Sequence, residues 1–296
     1  MKNILIAGGS GLIGQHLTKV LLRNNYQVAW LSRKESPNKL ITSYLWNPDK
    51  HFIDSAALKF ADAIIVLSGE NIAEKRWTSS FKSKIISSRI HVANTLKQAL
   101  EKNTHHVQFM ITASAIGFYG NRGEELLNEE SVVGNDFLAE TTKQWEEAYE
   151  GFKIPLAKLR IGVVLAKEGG ALPQMTKSLK WGIASPLGNG KQYISWIHIK
   201  DLTEMMRFIL KNQQAGIFNA VAPHPLSNAD FTSALKKQIN TRALTIPAPA
   251  FMIHLLLGEK SAIVLNSTRV SSNKIAESGF TFQFNNLESA LKDIYE

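Results

Sequence analysis

The chain has 296 residues, of which 44% are apolar and 20% are charged, and it contains no cysteine. This length suits about two domains with a large core, and the composition excludes a disordered or collagen-like chain. Disulfides, thiolate metal sites and cysteine nucleophiles are excluded as well. The formal net charge of +9 is spread along the sequence. We interpret it as solvated surface plus a phosphate-binding subset, not as a nucleic-acid site.

The apolar runs are short, as in Ala63 to Leu67, whereas a membrane helix needs about 20 apolar residues. The apolar stretch at the N-terminus runs directly into glycines and lacks the long apolar core of a signal peptide. The histidines and carboxylates show no metal-ligand spacing. We therefore expect a cytoplasmic protein that acts on a small molecule, with no metal, no nucleic acid and no membrane as partners. A homodimer is left open.

Strand-like apolar runs alternate with helical periodicity through the first part of the chain. The predicted strands are residues 3–7, 27–32, 61–68, 107–113 and 154–165. A first helix follows the glycines after residue 11, and further helices are predicted over 78–101 and 135–150. This alternation predicts an α/β fold, a Rossmann-type doubly wound parallel sheet that binds ligands at the carboxyl ends of its strands.

The pattern changes at Gly169-Gly170, where glycine, proline and tryptophan become more frequent. A helix is predicted over 228–239, and residues 192–199 and 216–220 are predicted as strands that return to the main sheet. We therefore assign residues 1–167 to the Rossmann domain, with 192–222 returning to it. Residues 168–191 and 223–296 are assigned to a smaller C-terminal α+β substrate domain.

A glycine fingerprint follows the first predicted strand and opens the first helix. Its spacing is GxxGxxG, formed by Gly8, Gly11 and Gly14, with Ser10, Leu12 and Ile13 between them. Such glycines permit a tight turn, close approach of the backbone to a pyrophosphate, and close packing of helix on sheet. The helix N-terminus also favours the anion. The position of the fingerprint predicts a dinucleotide site, and the alternative is a purely structural glycine turn.

The end of the second predicted strand indicates which dinucleotide binds. NAD sites usually place Asp or Glu there to hold the ribose 2′-hydroxyl, but this chain has Ser32, Arg33 and Lys34. A hydroxyl and two cations suit a 2′-phosphate, because guanidinium binds phosphate through paired hydrogen bonds. We therefore predict NADP(H) as the cofactor. The alternatives are that Arg33 and Lys34 are ordinary loop cations, or that Glu35 takes the carboxylate role.

Eight sequence blocks, in order, connect the chain with a known family. They are GGSGLIG (8–14), LSGENIAEKRW (67–77), ITASAIGFYG (111–120), WEEA (145–148), RIGVVLAKEGGAL (160–172), SWIHIKDL (195–202), FNAVAPHPLSN (218–228) and STRVSSNKIAESGFTF (267–282). With them the chain resembles, nearly end to end, the atypical extended short-chain dehydrogenase/reductases called epimerase family proteins. Those proteins look like nucleotide-sugar epimerases and carry a C-terminal domain of unassigned function.

The resemblance implies a set of cofactor contacts. Ser32 and Arg33 would hold the adenosine phosphate, and Leu67 and Ser68 would pass beneath the adenine and ribose, with Gly69 allowing close backbone approach. It also places Lys84 and Arg89 beside this crevice and Val164 near the nicotinamide. Family members usually have Asn-Leu-Ala-Gly where this chain has Val66-Leu-Ser-Gly69. That difference weakens a side-chain role at Val66 and leaves the backbone contact intact.

The catalytic residues are less clear from the sequence. Reductases and epimerases of this superfamily use a serine and a YxxxK element. Ser114 ends a predicted strand where that serine belongs, and its alternative role is strand-end capping. The register of YxxxK reads Ala139 to Lys143 here, so the tyrosine is missing. We interpret the string from Tyr149 to Lys153 as a chance match at the wrong end of the sheet.

Tyr119 is the candidate that replaces the missing tyrosine, because it follows Ser114 on the loop after the strand. Its alternative role is an aromatic wall beside the nicotinamide ribose. His198 and Asp201 are interpreted as structural, with Asp201 capping a helix, and Glu146 as solvated. We therefore expect an NADP(H)-dependent oxidoreductase or epimerase acting on an unidentified small substrate. The alternative is a non-catalytic NADP(H)-binding regulatory protein.

Overall fold

A computed structural model describes residues 1–34 and 41–296. In these ranges the strands are β1 (Asn3–Ala7), β2 (Gln27–Ser32), β3 (Thr42–Asn47), β4 (Phe52–Ile53), β5 (Ala63–Val66), β6 (Phe109–Ala115), β7 (Leu126–Leu127), β8 (Leu156–Ile161), β9 (Val163–Leu165), β10 (Ile183–Ala184), β11 (Tyr193–Ile194), β12 (Trp196–His198), β13 (Gly216–Ala220), β14 (Leu226–Ser227), β15 (Leu244–Thr245) and β16 (Arg269–Val270).

The helices of the same ranges are α1 (Leu12–Arg23), α2 (Ser55–Phe60), α3 (Ser79–Lys102), α4 (Phe137–Glu147), α5 (Leu172–Met175), α6 (Ile199–Asn212), α7 (Asn228–Ile239), α8 (Ala250–Leu257), α9 (Ala262–Leu265), α10 (Asn273–Glu277) and α11 (Leu287–Tyr295). Short 3₁₀ turns cover Pro48–Lys50, Ile116–Tyr119, Ser178–Trp181 and Gly258–Ser261. Among these helices, none combines the length and the apolar character needed to cross a bilayer.

The main sheet has the strand order β13-β8-β6-β5-β1-β2-β3-β4. Its neighbours are parallel except for the edge pair β3 and β4. Ile4 in β1 pairs with Val28 on one side and Ala63 on the other. Residues Ile4–Ala7 are fully buried, as expected for a parallel strand covered on both faces. The predicted Rossmann-type fold class is confirmed.

Helices cover both faces of this sheet. On one face α1 and α6 contact each other, and Leu17 and Met205 join the core beneath them. On the other face α3 and α4 pack against the sheet through residues such as Val92 and Trp145. The apolar residues of α1 recur at i and i+4, Leu17 and Leu21, which is why one side of the helix is buried.

The smaller C-terminal region has a core of its own. Helices α7 and α11 contact each other, and they bury Phe231, Leu287 and Leu291 together with Leu179 and Leu172. Short strand pairs, β10 with β15 and β11 with β14, complete this α+β region. The domain boundaries at residues 167/168, 191/192 and 222/223 stay a prediction.

Two predicted strands differ from the observed ones. The strand predicted over 154–165 is divided, because a Cβ at Gly162 would lie 2.6 Å from the carbonyl oxygen of Ser195. After this close approach β9 leaves the main sheet and pairs with β12. The prediction that residues 192–199 return to the main sheet is therefore wrong. The prediction for 216–220 is confirmed, since β13 forms the edge of the main sheet beside β8.

Candidate functional site

The glycine fingerprint forms a compact turn between β1 and α1. Gly8 has φ +89°, a backbone conformation that favours glycine, and a Cβ there would meet the Leu67 backbone at 2.9 Å. A Cβ at Gly14 would lie 2.3 Å from the Gly8 carbonyl oxygen. These two glycines are required by the fold itself, because they let α1 pack closely on β1 and β5.

Gly11 differs from Gly8 and Gly14, because it is exposed. A Cβ there would meet only the Gly8 carbonyl oxygen, at the ordinary contact distance of 3.4 Å. Gly11 is also the N-cap of α1, where no side chain caps the helix and no acidic residue occupies the first turn. The amide groups of that turn therefore face an open, anion-favouring surface. A pyrophosphate fits this cradle.

The cationic loop after β2 lies on the same sheet edge. Ser32 is half-buried, and its hydroxyl accepts a hydrogen bond from the Lys34 amide at 3.3 Å. Arg33 and Lys34 are exposed, and neither forms an ion pair with any residue in the described ranges. The alternative based on Glu35 concerns a residue outside those ranges. Two exposed cations without an ion-pair partner in these ranges suit a 2′-phosphate.

The segment after β5 lies directly beside the fingerprint. The Leu67 amide donates to the Ala7 carbonyl at 2.8 Å, which brings Leu67 and Ser68 against Gly8. Gly69 is exposed, and a Cβ on it would lie 3.2 Å from the guanidinium carbon of Arg89. The predicted segment 67–69 therefore forms one wall of the crevice.

Arg89 on α3 supports this wall from behind. Its guanidinium donates to the carbonyls of Glu70 (3.2 Å) and Ile85 (2.8 Å) and lies 4.7 Å from the Trp145 ring centroid. Burial lowers the pKa of Arg89 to about 10, although the charge of Glu70 raises it. Lys84, five residues earlier on α3 and exposed, pairs with the Glu70 carboxylate at 3.2 Å. Both predicted residues thus lie at the crevice, where Arg89 holds the Glu70 backbone.

Val164 on β9 comes to the opposite side of the fingerprint. Gly170 follows the strand, and a Cβ there would lie 3.4 Å from Leu12 and 3.5 Å from the Val164 carbonyl oxygen. The loop after β9 therefore borders the first turn of α1. The fold thus brings Gly8, Leu12, Gly14, Leu67, Ser68, Gly69, Arg89 and Val164 around one turn. The cofactor contacts predicted for these residues and for Ser10, Gly11, Ile13, Ser32, Arg33, Lys34 and Lys84 stay predictions.

Ser114 belongs to a buried ionic cluster. Its hydroxyl donates to Glu146 Oε1 at 2.5 Å. The Glu146 carboxylate also accepts two hydrogen bonds, each 2.9 Å, from the guanidinium of Arg160. Burial alone would lower the pKa of Arg160, but its pairing with Glu146 outweighs burial and raises it. Ser114 is 3% exposed, so its oxygen faces the protein in this arrangement.

Tyr119 extends the same cluster. Its hydroxyl donates to Asn219 Oδ1 at 2.7 Å and accepts from Arg160 Nη1 at 3.0 Å. The ring has no exposed surface, and burial raises the pKa of the hydroxyl despite the nearby Arg160 charge. Both hydrogen-bonding roles of this hydroxyl are taken by protein groups. The geometry favours a role in fixing the loop after β6, and the predicted catalytic roles of Tyr119 and Ser114 stay predictions.

Helix α4 contains Ala139 to Lys143, the positions that correspond to YxxxK, with alanine in place of the tyrosine. Ala139 is fully buried, and Lys143 lies on the helix surface 3.8 Å from Glu147. Tyr149 follows the end of α4 and is buried among the residues behind the sheet. Burial raises the pKa of Tyr149 to about 12. Neither tyrosine therefore presents an exposed hydroxyl.

An open cleft lies between the Rossmann part and the C-terminal region. It consists of two adjoining cavities of about 480 and 510 Å³ that share His254 and Leu265. Trp77 and Leu138 line one cavity, and Lys191 lines the other. Leu138 is next to Ala139, which stands where the YxxxK element would have its tyrosine. The cleft therefore reaches α4 at that position. Such a cleft can hold a small molecule.

Several polar residues have roles that the sequence interpretation missed. Glu146 is buried and paired with Arg160 instead of solvated; the signal was an arginine inside an apolar strand, which needs a carboxylate partner. Asp201 does not cap α6 but accepts from the amides of residues 283 and 284. The N-cap of α6 is His198, whose ring accepts from the Lys200 amide at 3.1 Å.

The crevice and the sheet order define a dinucleotide-binding fold of the epimerase type, and comparisons with known proteins agree. The model of the NAD dependent epimerase/dehydratase family matches residues 4–220, and that of a domain of unknown function, DUF1731, matches residues 248–294. The chain belongs to the NAD dependent epimerase/dehydratase family. The family resemblance found in the sequence is confirmed.

Relatives span the whole chain. The epimerase family protein YfhF of Bacillus subtilis is 34% identical over 99% of this chain and 97% of its own. The murine epimerase family protein SDR39U1 is 30% identical over 98% of this chain and 99% of its own.

Solved structures have the same fold. A crystal structure of human SDR39U1 with NADPH has a TM-score of 0.89 at 29% identity, and covers 99% of this chain and 98% of its own. A Thermus thermophilus UDP-glucose 4-epimerase in complex with NAD has a TM-score of 0.76 at 15% identity, over 99% and 97% of the two chains. The latter likeness shows the fold alone.

Proposed function

We propose that this protein is an NADP(H)-dependent oxidoreductase or epimerase of the atypical extended short-chain dehydrogenase/reductase class. Its substrate is an unidentified small molecule, bound in the cleft between the Rossmann part and the C-terminal region. The observation that carries the proposal is the open anion cradle at Gly11, followed on the same sheet edge by Arg33 and Lys34, two cations without an ion-pair partner among the described residues. The NADPH in the crystal structure of human SDR39U1 supports the same cofactor here.

The residues present fit this cofactor. The first turn of α1 and Gly11 take the pyrophosphate, Arg33 with Ser32 and Lys34 takes the 2′-phosphate, and Leu67 to Gly69 lie along the adenosine. The bound nicotinamide would donate a hydride in a reductase, or accept and return one in an epimerase. Val164 and Leu12 exclude water from the opposite side of the crevice. In this proposal the substrate lies against Leu138 and Trp77 in the cleft, and the buried hydroxyls of Ser114 and Tyr119 fix β6 and the loop after it.

A second candidate function rests on the missing tyrosine of the YxxxK element. Position 139 carries a buried alanine, and the hydroxyls of Tyr119 and Tyr149 are both buried. A protein that binds NADP(H) without turnover and reports its presence to a partner needs no proton donor. NADPH consumption with a panel of carbonyl compounds tests the oxidoreductase, because only a reductase oxidises NADPH faster than a protein-free control. An epimerase returns the hydride to its substrate, so it is tested by product formation from a panel of nucleotide sugars with NADP⁺.

The cofactor assignment is tested by Arg33→Ala. Loss of a charge-assisted hydrogen-bonded pair should weaken NADPH binding by about tenfold to a hundredfold and leave NADH binding almost unchanged. Titration calorimetry of both cofactors measures this. Lys19→Ala, which removes an exposed cation from the middle of α1, is the matched control and should change neither affinity. Equal affinity of the natural protein for NADH and NADPH would show that Arg33 does not select the cofactor.

A further inference from the structure

The C-terminal region exposes large apolar side chains on a short strand pair. Strands β10 and β15 are parallel, with Ile183 beside Leu244. Trp181 is 84% exposed and Leu244 is 68% exposed, and Ile183 and Ile246 are exposed beside them. Four large apolar residues on so small an element leave a surface that water solvates poorly.

Helix α8 follows this strand pair after a connection of four residues, Ile246–Pro249. Ala250 and His254 line the cleft, and Ile253 is buried. At 100° per residue, the side of α8 turned away from the cleft carries Phe251, Met252, Leu255 and Leu256, and all four are exposed. The solvent side of this helix is therefore apolar, the reverse of an ordinary surface helix.

The two sequence segments that carry this apolar face are basic. From Gly169 to Lys200 and from Phe231 to Gly258 the chain has no Asp or Glu. The same two segments contain seven cations, namely Lys177, Lys180, Lys191, Lys200, Lys236, Lys237 and Arg242. The Lys236 ammonium lies 3.3 Å from the Thr245 hydroxyl, next to Leu244. Lys200 pairs with Asp293 at 2.6 Å, and the other six cations have no ion-pair partner within the described ranges.

We propose that this face, formed by residues 181–183, 244–246 and 251–256, docks on an anionic lipid bilayer. Exposed Trp, Phe and Leu enter the interface between headgroups and acyl chains, and neighbouring Lys and Arg bind anionic headgroups. A second copy of this chain fits less well, because a two-fold contact would bring the same cations together. The sequence predicted no membrane partner from its short apolar runs, but three separate segments assemble this face.

Vesicle sedimentation tests this proposal on the full-length protein. The protein should sediment with vesicles of phosphatidylcholine and phosphatidylglycerol at low salt, and should remain in solution with pure phosphatidylcholine. The double variant Trp181→Ser/Leu255→Ser should lower the partition coefficient by about tenfold or more, because it removes two inserted side chains. Val132→Ser removes an equally exposed apolar residue from outside the face and should change nothing.

The charge is tested separately by Lys177→Glu/Lys180→Glu, which should weaken binding and flatten its dependence on salt. Unfolding midpoints in urea show that each variant is folded. Failure of the natural protein to bind anionic vesicles overturns the proposal, and so does unchanged binding by the Trp181/Leu255 variant. A dimer in sedimentation equilibrium that the same variant dissociates would instead assign the face to a second copy.

Discussion

Two polar regions lie at the carboxyl edge of the same sheet. One region leaves its polar groups exposed, and the other buries them and pairs them with one another. In the crevice around Gly11 the anion cradle is open and Arg33 and Lys34 have no described partner. In the cluster around Glu146 every named oxygen is bound to protein. The comparison shows that a functional residue type is not by itself a functional site, because recognition of a ligand requires groups that the fold leaves unpaired.

The physical reason is the cost of burial. A carboxylate or guanidinium that leaves water must find partners inside the protein, and Glu146 and Arg160 satisfy each other through two hydrogen bonds. An exposed cation such as Arg33 has no such requirement and stays available for phosphate. Substitutions in the buried region should therefore lower stability, and substitutions in the open region should weaken cofactor binding.

Glu146→Ala should have the largest effect, because it leaves the Arg160 charge buried without its partner. The expected loss in the free energy of unfolding is about 3–5 kcal/mol, measured by urea denaturation. Glu147→Ala, at the next position and exposed, should lie within about 0.5 kcal/mol of the natural protein. Equal effects of the two variants would mean that the ion pair does not support the fold.

The buried His198 should make the stability of the protein depend on pH. Burial lowers the pKa of His198 from 6.5 in the unfolded chain to about 4 in the folded protein. The charge of Asp293 partly offsets this shift. The unfolded chain therefore binds the extra proton between pH 6.5 and 4, so stability should fall as pH falls through that window, by about 3 kcal/mol for this group. Urea unfolding midpoints measured at a series of pH values from 7 to 4 test this expectation.

His198→Asn is the matched variant for this pH effect. Asparagine keeps a side-chain acceptor at the N-cap of α6 but does not titrate. The part of the pH dependence that belongs to His198 should therefore disappear in the variant. An identical slope in both proteins would assign the acid lability to other groups.

Gly11→Val tests the open region. The valine side chain would occupy the cradle, so NADPH and NADH should both bind at least about a hundredfold more weakly, which corresponds to about 2.7 kcal/mol. The unfolding midpoint should stay close to natural, since the Cβ meets nothing closer than 3.4 Å. Gly14→Val is the contrasting variant and should lose stability. Undiminished binding by Gly11→Val would place the cofactor elsewhere.

Tyr119→Phe should have the smallest effect on stability. It removes the hydrogen bonds to Asn219 and Arg160, while Arg160 Nη1 keeps the Glu129 carbonyl at 3.2 Å. We expect a loss of about 1 kcal/mol and no change in NADPH affinity. Any turnover found with a carbonyl compound should survive. A fall in turnover of about 10²–10⁴-fold at intact stability would instead make Tyr119 a proton-transfer residue.

Local patterns determined much of this protein. The glycine fingerprint, the helix after it and the missing carboxylate after β2 are readable because a turn, a helix start and a strand end each depend on a few adjacent residues. The helix predicted over 228–239 and the strand over 216–220 match the observed limits of α7 and β13. Their apolar periodicity agrees with their burial, so sequence and structure coincide.

Tertiary structure alone decided which polar and apolar groups are exposed. Glu146 is buried because Arg160 on a neighbouring strand pairs with it. The Tyr119 hydroxyl donates its hydrogen bond to Asn219, which is 100 positions away in the sequence. The exposed face of α8 and Trp181 looks like ordinary core in the sequence, since an apolar pattern does not say whether anything covers it. Composition and spacing fix what a residue can do, but its neighbours in space fix whether it stays free to do it.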